Sequence, residues 1–428
     1  MIININNIEI KRVTPKDSHF FFGYYDISPE SPDGSKILIN KAPFIDRMPR
    51  VGDELIIGYI DSESFEFHQI GLTTAWTFQE GCRLQWLDND RIIYINRSTN
   101  GSSFHSFVYS ISEKVIVREY ERPVYSITAD GKYAVSYSFF NNRYSYAHNE
   151  EEEVFDYDND GIFLTNLQTG ESKLLLPLSF FAEKAGALDR KNWIEHCVFN
   201  PKGDRFYLYH RWLQIDGKMS TRMYESDLEG NCRVLLDTSF CSHSGWRGDR
   251  EITTFGRLPN RFNAVEKNDF LRKTGIFKIA VDLYHFFVRG SKARMLVTND
   301  SYIMIDLDEH TCVKLDNKDF VGDGHCTWSK DKRYMLTDSY AINHERYLFI
   351  YDFEADKLYN IRKFCSLPSR DHTNDTNWDE SGMRCDLHPK WSFSENHIFF
   401  DSVHEGFRGL YRIKTDELFQ QIKKINSQ

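Results

Sequence analysis

A unit of two antiparallel hairpin signals recurs along the whole chain, and this repetition constrains the fold more than any other feature. Each copy runs from an aromatic or branched residue through a polar turn with Asp or Gly into an alternating strand. The copies are ISPESPDGSKILIN (27–40), WLDNDRIIYIN (86–96), ITADGKYAVSYSF (127–139), FNPKGDRFYLYHR (199–211), WRGDREITTFGR (246–257), WSKDKRYMLTDSY (328–340) and WSFSENHIFFDSV (391–403). A second hairpin signal follows each, from LIIGYIDSESFEFHQI in the first copy to GLYRIKTDELFQQI in the last. Seven paired hairpins predict an all-β seven-bladed β-propeller, because radial repetition of four-stranded sheets protects their edges. The expected organisation is one domain over residues 1–428, with the strand around Ile8–Val13 completing the last blade.

Residues 259–296 break the pattern. Phe270, Phe277, Val281 and Tyr284 recur there at helical spacing with Lys and Arg between them, which predicts a helical insertion in blade five, between its second and third strands. Such an apolar stripe must cover itself against the propeller, a second subunit or a peripheral membrane surface.

The 428 residues, 41% hydrophobic and 15% aromatic, suffice for a large core. The N-terminal MIININNIEI lacks a basic segment followed by an apolar run, and no stretch approaches the roughly 20 apolar residues of a membrane span. The eight cysteines are scattered without a CxxC pair, as reduced, mostly buried thiols are. A cytoplasmic protein is expected. The formal charge of -10 excludes a general nucleic-acid binder, so any anionic ligand must meet a local basic cluster. A Walker loop and a serine nucleophile elbow are both missing, which points away from nucleotide or organic cofactors and from esterase chemistry.

Three residues before the repeat's aromatic position, with the first copy aligned on Ser28 and allowed a longer turn, stand Tyr24, Arg83, Val124, His196, His243, His325 and His388. At the end of the second strand stand Lys41, Arg97, Ser138, His210, Arg257, Ser339 and Ser402. A hairpin sets the start of its first strand beside the end of its second, so both rows are expected on one face. Four imidazoles at one repeat position call for a compensating metal or anion, and they suit a divalent cation, Zn or Mn. Arg83, Arg97, Arg143, Arg211, Arg257 and Arg384 would supply an anion site, suited to a sugar carboxylate or to phosphate, and Trp212 a stacking surface for a pyranose.

HFFFGYYDISPESPDG (19–34), EGCRLQW (80–86), HCVFNPKGDRFYLYHRW (196–212), GHCTWSKDKRYMLTDSY (324–340) and RCDLHPKWSFSENHIFFDSVHEG (384–406) resemble the propeller family of oligogalacturonate lyases and rhamnose–glucuronate lyases, in its branch linked to bacterial surface polysaccharides. The resemblance implies β-elimination at a uronate sugar in an oligosaccharide or surface glycan, with a divalent metal on histidines. That chemistry needs a cation on the carboxylate, a base for the C5 proton and an acid for the leaving oxygen. The corresponding candidates are His325, His388 and His404, with His243, for metal or carboxylate binding; His196 or His210 for the base; Tyr24 or Tyr25 for the acid; and Arg211, Arg257 and Arg384 for carboxylate neutralisation. The alternatives are a non-catalytic glycan-binding or assembly propeller and a metal-dependent glycan hydrolase.

Overall fold

The computed structural model describes residues 2–101, 103–139, 156–258, 298–315, 317–367 and 381–427. They form seven sheets, distributed over two compact units. The insertion expected at 259–296 and Arg143 lie outside the described residues.

The first unit, within 1–124 and 324–428, holds four sheets. His19–Phe21, Lys36–Ala42, Leu55–Asp61 and Phe67–Thr73 make one, and Gln85–Trp86, Arg91–Arg97, Phe104–Ser110 and Val115–Tyr120 the next. Thr327–Trp328, Tyr334–Asp338, Glu345–Asp352 and Lys357–Cys365 make the third, to which Ile3–Asn4 adds a fifth, parallel strand. The fourth consists of Lys390–Trp391, His397–Ser402, Gly409–Lys414 and the N-terminal Lys11–Arg12.

That last sheet confirms the expected closure by an N-terminal strand and corrects the reading of GLYRIKTDELFQQI as a hairpin. After the strand Gly409–Lys414 the chain turns into a helix, α1, over Thr415–Asn426. Its sequence is helical on two counts: Asp416 and Glu417 lie in the first turn and Lys423 and Lys424 in the last, each sign suited to its end of the helix dipole. Leu418 and Ile422, one turn apart, bury into a core with Ile5, Ile8, Ile350, Trp391, Phe400 and Tyr411. The edge left open is then taken by Lys11 and Arg12, paired with Arg412 and Tyr411.

The second unit, within 125–323, holds three sheets. They start at Ser126–Ile127, Asn192–Phe199 and Cys241–Trp246, and the insertion point falls between Glu251–Arg257 and Asp300–Asp306, the second and third strands of the last of them. In five of the seven sheets the last strand is more exposed than the two before it. Asn192–Phe199 is buried throughout, whereas Val115–Tyr120 exposes most of its length.

The histidine position interrupts the strand ladder in each of its four sheets. The register slips between Glu195 and Val198 and between Cys241 and Ser244, while His325 and His388 precede the first paired residues of their sheets. Arg83, His196 and His388 take left-handed backbone conformations, with φ of 53°, 56° and 45°. A bulge or a left-handed residue of this kind re-aims a side chain away from the regular pleat.

Candidate metal centre

Two of the four repeat-position histidines meet in the first unit. The rings of His325 and His388 lie 4.3 Å apart, centroid to centroid, nearly perpendicular. Asp386 joins them, and one potential ligand atom from each of the three falls within 4.8 Å of the others, all three residues being buried. Asp386 is two residues before His388, in the RCDLHP segment.

The hydrogen bonds around the rings set their tautomers. His325 Nδ1 lies 2.8 and 3.0 Å from the two carboxylate oxygens of Asp338, and His388 Nδ1 lies 3.0 Å from the carbonyl oxygen of Gly23. Both neighbours only accept, so both Nδ1 atoms carry a hydrogen, and in its neutral form each ring has its lone pair on Nε2. Imidazole backed by a carboxylate or a backbone carbonyl is the arrangement that orients histidine ligands at metals.

Asp386 is held differently. It pairs with Arg346, receives Gln79 Nε2 at 3.0 Å and has Arg384 Nη2 at 3.4 Å. Burial pushes its carboxyl upward, but Arg346, Arg384 and the two imidazoles outweigh that and hold it well below the usual carboxylate range. It is therefore an anionic oxygen donor beside two imidazoles.

Gly23 is the hinge of the arrangement. Its amide and that of Phe22 donate to Asp401 at 3.2 and 2.9 Å, and its carbonyl also accepts from Lys390 Nζ at 2.9 Å. Burial pushes the Lys390 ammonium down to about 8, although Asp401 and Asp26 favour its charge. Tyr24 and Tyr25 follow directly: the Tyr24 ring lies 5.1 Å from His388 and that of Tyr25 lies 5.2 Å from His325. Arg83 makes two parallel bonds, 2.9 and 2.8 Å, to Asp26.

The remaining candidates take other places. In the first unit His404 bonds Ser402 Oγ through Nδ1 at 2.7 Å and packs on Phe364 and Tyr411, and burial lowers its pKa. Among the described residues it is outside the His325–Asp386–His388 group. Arg97 lies over the Phe104 ring and Arg384 over Tyr340. In the second unit His196 bonds the Tyr125 hydroxyl at 2.7 Å, beside Glu195, which also takes Arg211 at 2.9 Å and the Trp193 indole at 2.7 Å. His243 pairs with Asp323 at 3.0 Å, and Arg257 with Asp300 at 2.7 Å. His210 is fully buried, bonded to Asn192 and stacked on Trp212, and burial pushes its pKa down to about 3.

The second row of residues was read one position late. Tyr209, whose ring lies 5.5 Å from His196, and Asp338, bonded to His325, reach the first row, while Asn40 and Asp401 bond Phe22 and Gly23 just before it. Each comes one residue before the expected Lys41, His210, Ser339 and Ser402. The broken ladder at the histidine position supplies the offset, and a slip of one residue turns a strand's side chains to the opposite face. Asp338 and Asp401 were missed through that offset, and Asp386 and Lys390 because they fall outside both rows, although all four lie inside the segments that carry the family resemblance.

No family model and no curated protein matches this sequence. Solved structures do match. An oligogalacturonate lyase in complex with manganese aligns over 97% of this chain and 95% of its own, at 14% identity and a TM-score of 0.60. The oligogalacturonate lyase of Vibrio parahaemolyticus aligns over the same shares at 14% identity and a TM-score of 0.59. The fold is a seven-bladed β-propeller. At this identity the likeness speaks for the fold. Among the described residues no helix is long and apolar enough to cross a membrane.

Proposed function

We propose that the protein is a carbohydrate-active lyase that cleaves a uronate-containing oligosaccharide or surface glycan by β-elimination, with a divalent cation held by His325, His388 and Asp386. The observation that carries this reading is the buried pair of imidazoles with both Nδ1 atoms engaged, facing an anionic carboxylate. The donor set fits such a cation: two neutral nitrogens and one carboxylate oxygen, the oxygen favouring Mn over Zn. Manganese in the similar lyase agrees with that choice.

When bound, the cation would draw charge from the uronate carboxylate and so acidify the proton at C5. Asp338 and the Gly23 carbonyl hold the imidazoles in the ligating tautomer, and Arg346 and Arg384 keep Asp386 ionised. Tyr24 and Tyr25 flank the imidazoles; one, as the phenolate beside the cation, would take the C5 proton, and the other, as the phenol, would give its proton to the leaving oxygen, so that no net proton is gained or lost. Arg384, with more than a quarter of its side chain exposed, offers a guanidinium to an incoming carboxylate.

Metal analysis of the purified protein, before and after chelation, together with a panel of uronate oligosaccharides, tests the reading. One equivalent of metal and a product with the ultraviolet absorbance of a C4–C5 double bond are expected. His388→Ala should abolish both while leaving the circular dichroism spectrum unchanged. Saturated products would assign a hydrolase, and tight glycan binding without any product a non-catalytic platform.

A further inference from the structure

We infer that Asp338 is the positioning residue that builds the metal centre, aligning both histidines through one carboxylate; this rests on the metal reading above. Asp338 ends the strand Tyr334–Asp338 and is buried. Its Oδ1 accepts the backbone N–H of His325 at 2.8 Å and the ring Nδ1–H of the same residue at 2.8 Å. Its Oδ2 accepts the backbone N–H of His388 at 3.2 Å. Residues that open two different sheets are therefore tied to a single side chain.

The tie acts where the backbone is least constrained by the ladder. His325 and His388 both precede the paired residues of their strands, and His388 sits at a φ of 45°. The backbone N–H groups of both residues are taken by the Asp338 side chain. Asp338 also selects the Nδ1–H form of His325, which makes Nε2 the acceptor nitrogen of the neutral ring.

The charge balance points the same way. Asp386 is compensated by Arg346 and Arg384, but among the described residues the group at ion-pair distance from Asp338 is the His325 ring, which carries a charge only when doubly protonated. A buried carboxylate without a Lys or Arg is costly unless N–H donors and a nearby cation offset it. Three N–H groups converge on this one, and a cation on the far side of the imidazoles completes the compensation. Asn in its place would turn an NH2 group toward one of those donors, so shape alone does not satisfy the site.

Two measurements on the full chain test this. Calorimetric titration with Mn2+, and separately with Zn2+, should show Asp338→Asn binding 10- to 100-fold more weakly than the wild type, roughly the cost of losing a partner that orients ligands. Nitrogen-15 NMR of the metal-free wild type at neutral pH should show His325 and His388 as Nδ1–H tautomers, a result that needs no variant to fold. Unchanged affinity in a folded Asp338→Asn protein overturns the inference and leaves the metal reading standing. An Nε2–H or doubly protonated His325 in the wild type also overturns it. A wild type that binds neither ion defeats the metal reading itself, and the inference with it.

Discussion

Arg83→Met separates two roles that an arginine at this position can play. In the structure its guanidinium makes a bidentate pair with Asp26, and the two side chains are only 0% and 5% exposed. Two unit charges about 4 Å apart attract by about 4 kcal/mol at an effective dielectric near 20. Removing one partner of a buried pair leaves the other charge uncompensated, at a cost of about 3–5 kcal/mol. Methionine keeps the unbranched stem and bears the same strain at a φ of 53°, so the backbone contribution cancels. Guanidinium chloride unfolding of the wild type, Arg83→Met, Asp26→Leu and the double variant closes a thermodynamic cycle. Arg83→Met alone should lose about 3–5 kcal/mol, and adding Asp26→Leu should recover much of that loss. A single variant within about 1 kcal/mol of the wild type, with an additive cycle, would refute the reasoning and leave the guanidinium available to an anionic ligand.

His210 supplies a pH signature. Its ring is neutral in the folded protein down to about 3, whereas an unfolded histidine takes its proton near 6.5. A depressed histidine pKa means that the unfolded chain binds more protons in this window, so the stability is present above 6.5 and is lost as pH falls toward 3. The contribution is on the order of 5 kcal/mol, and the acid limb of stability against pH should be shallower by about that amount in His210→Gln; parallel curves would show that the ring is not the titrating group. Gly23→Ala should destabilise the protein by roughly 1–3 kcal/mol and weaken Mn2+ binding, because a Cβ there would stand 2.9 Å from the Glu80 backbone at a φ of +124°. Wild-type stability and Mn2+ affinity in that variant would show that the Gly23 carbonyl does not hold His388.

The repeat was legible without coordinates because strand alternation and polar turns are local, and a sheet that returns seven times leaves seven local records. The strand around Ile8–Val13 was legible for the same reason, since an odd strand at one end implies an open edge at the other. GLYRIKTDELFQQI misled because a strand and the first turn of a helix both begin with apolar residues a few positions apart. What turned it into a helix was burial of Leu418 and Ile422 against Trp391 and Ile5, contacts that join opposite ends of the chain.

The site divides along the same line. The sequence determined by itself that His196, His243, His325 and His388 share one repeat position, and that Asp386 precedes His388 by two. Only the tertiary structure decided which of them meet. His325 and His388 converge because Asp338 and the Gly23 carbonyl draw both rings to one place, while His196 and His243 find Tyr125 and Asp323 in the second unit. Those choices depend on a one-residue offset at a broken ladder and on partners from other sheets. A local pattern cannot encode either, because strand periodicity says which side of a sheet a residue occupies and nothing about which residue of another sheet stands opposite.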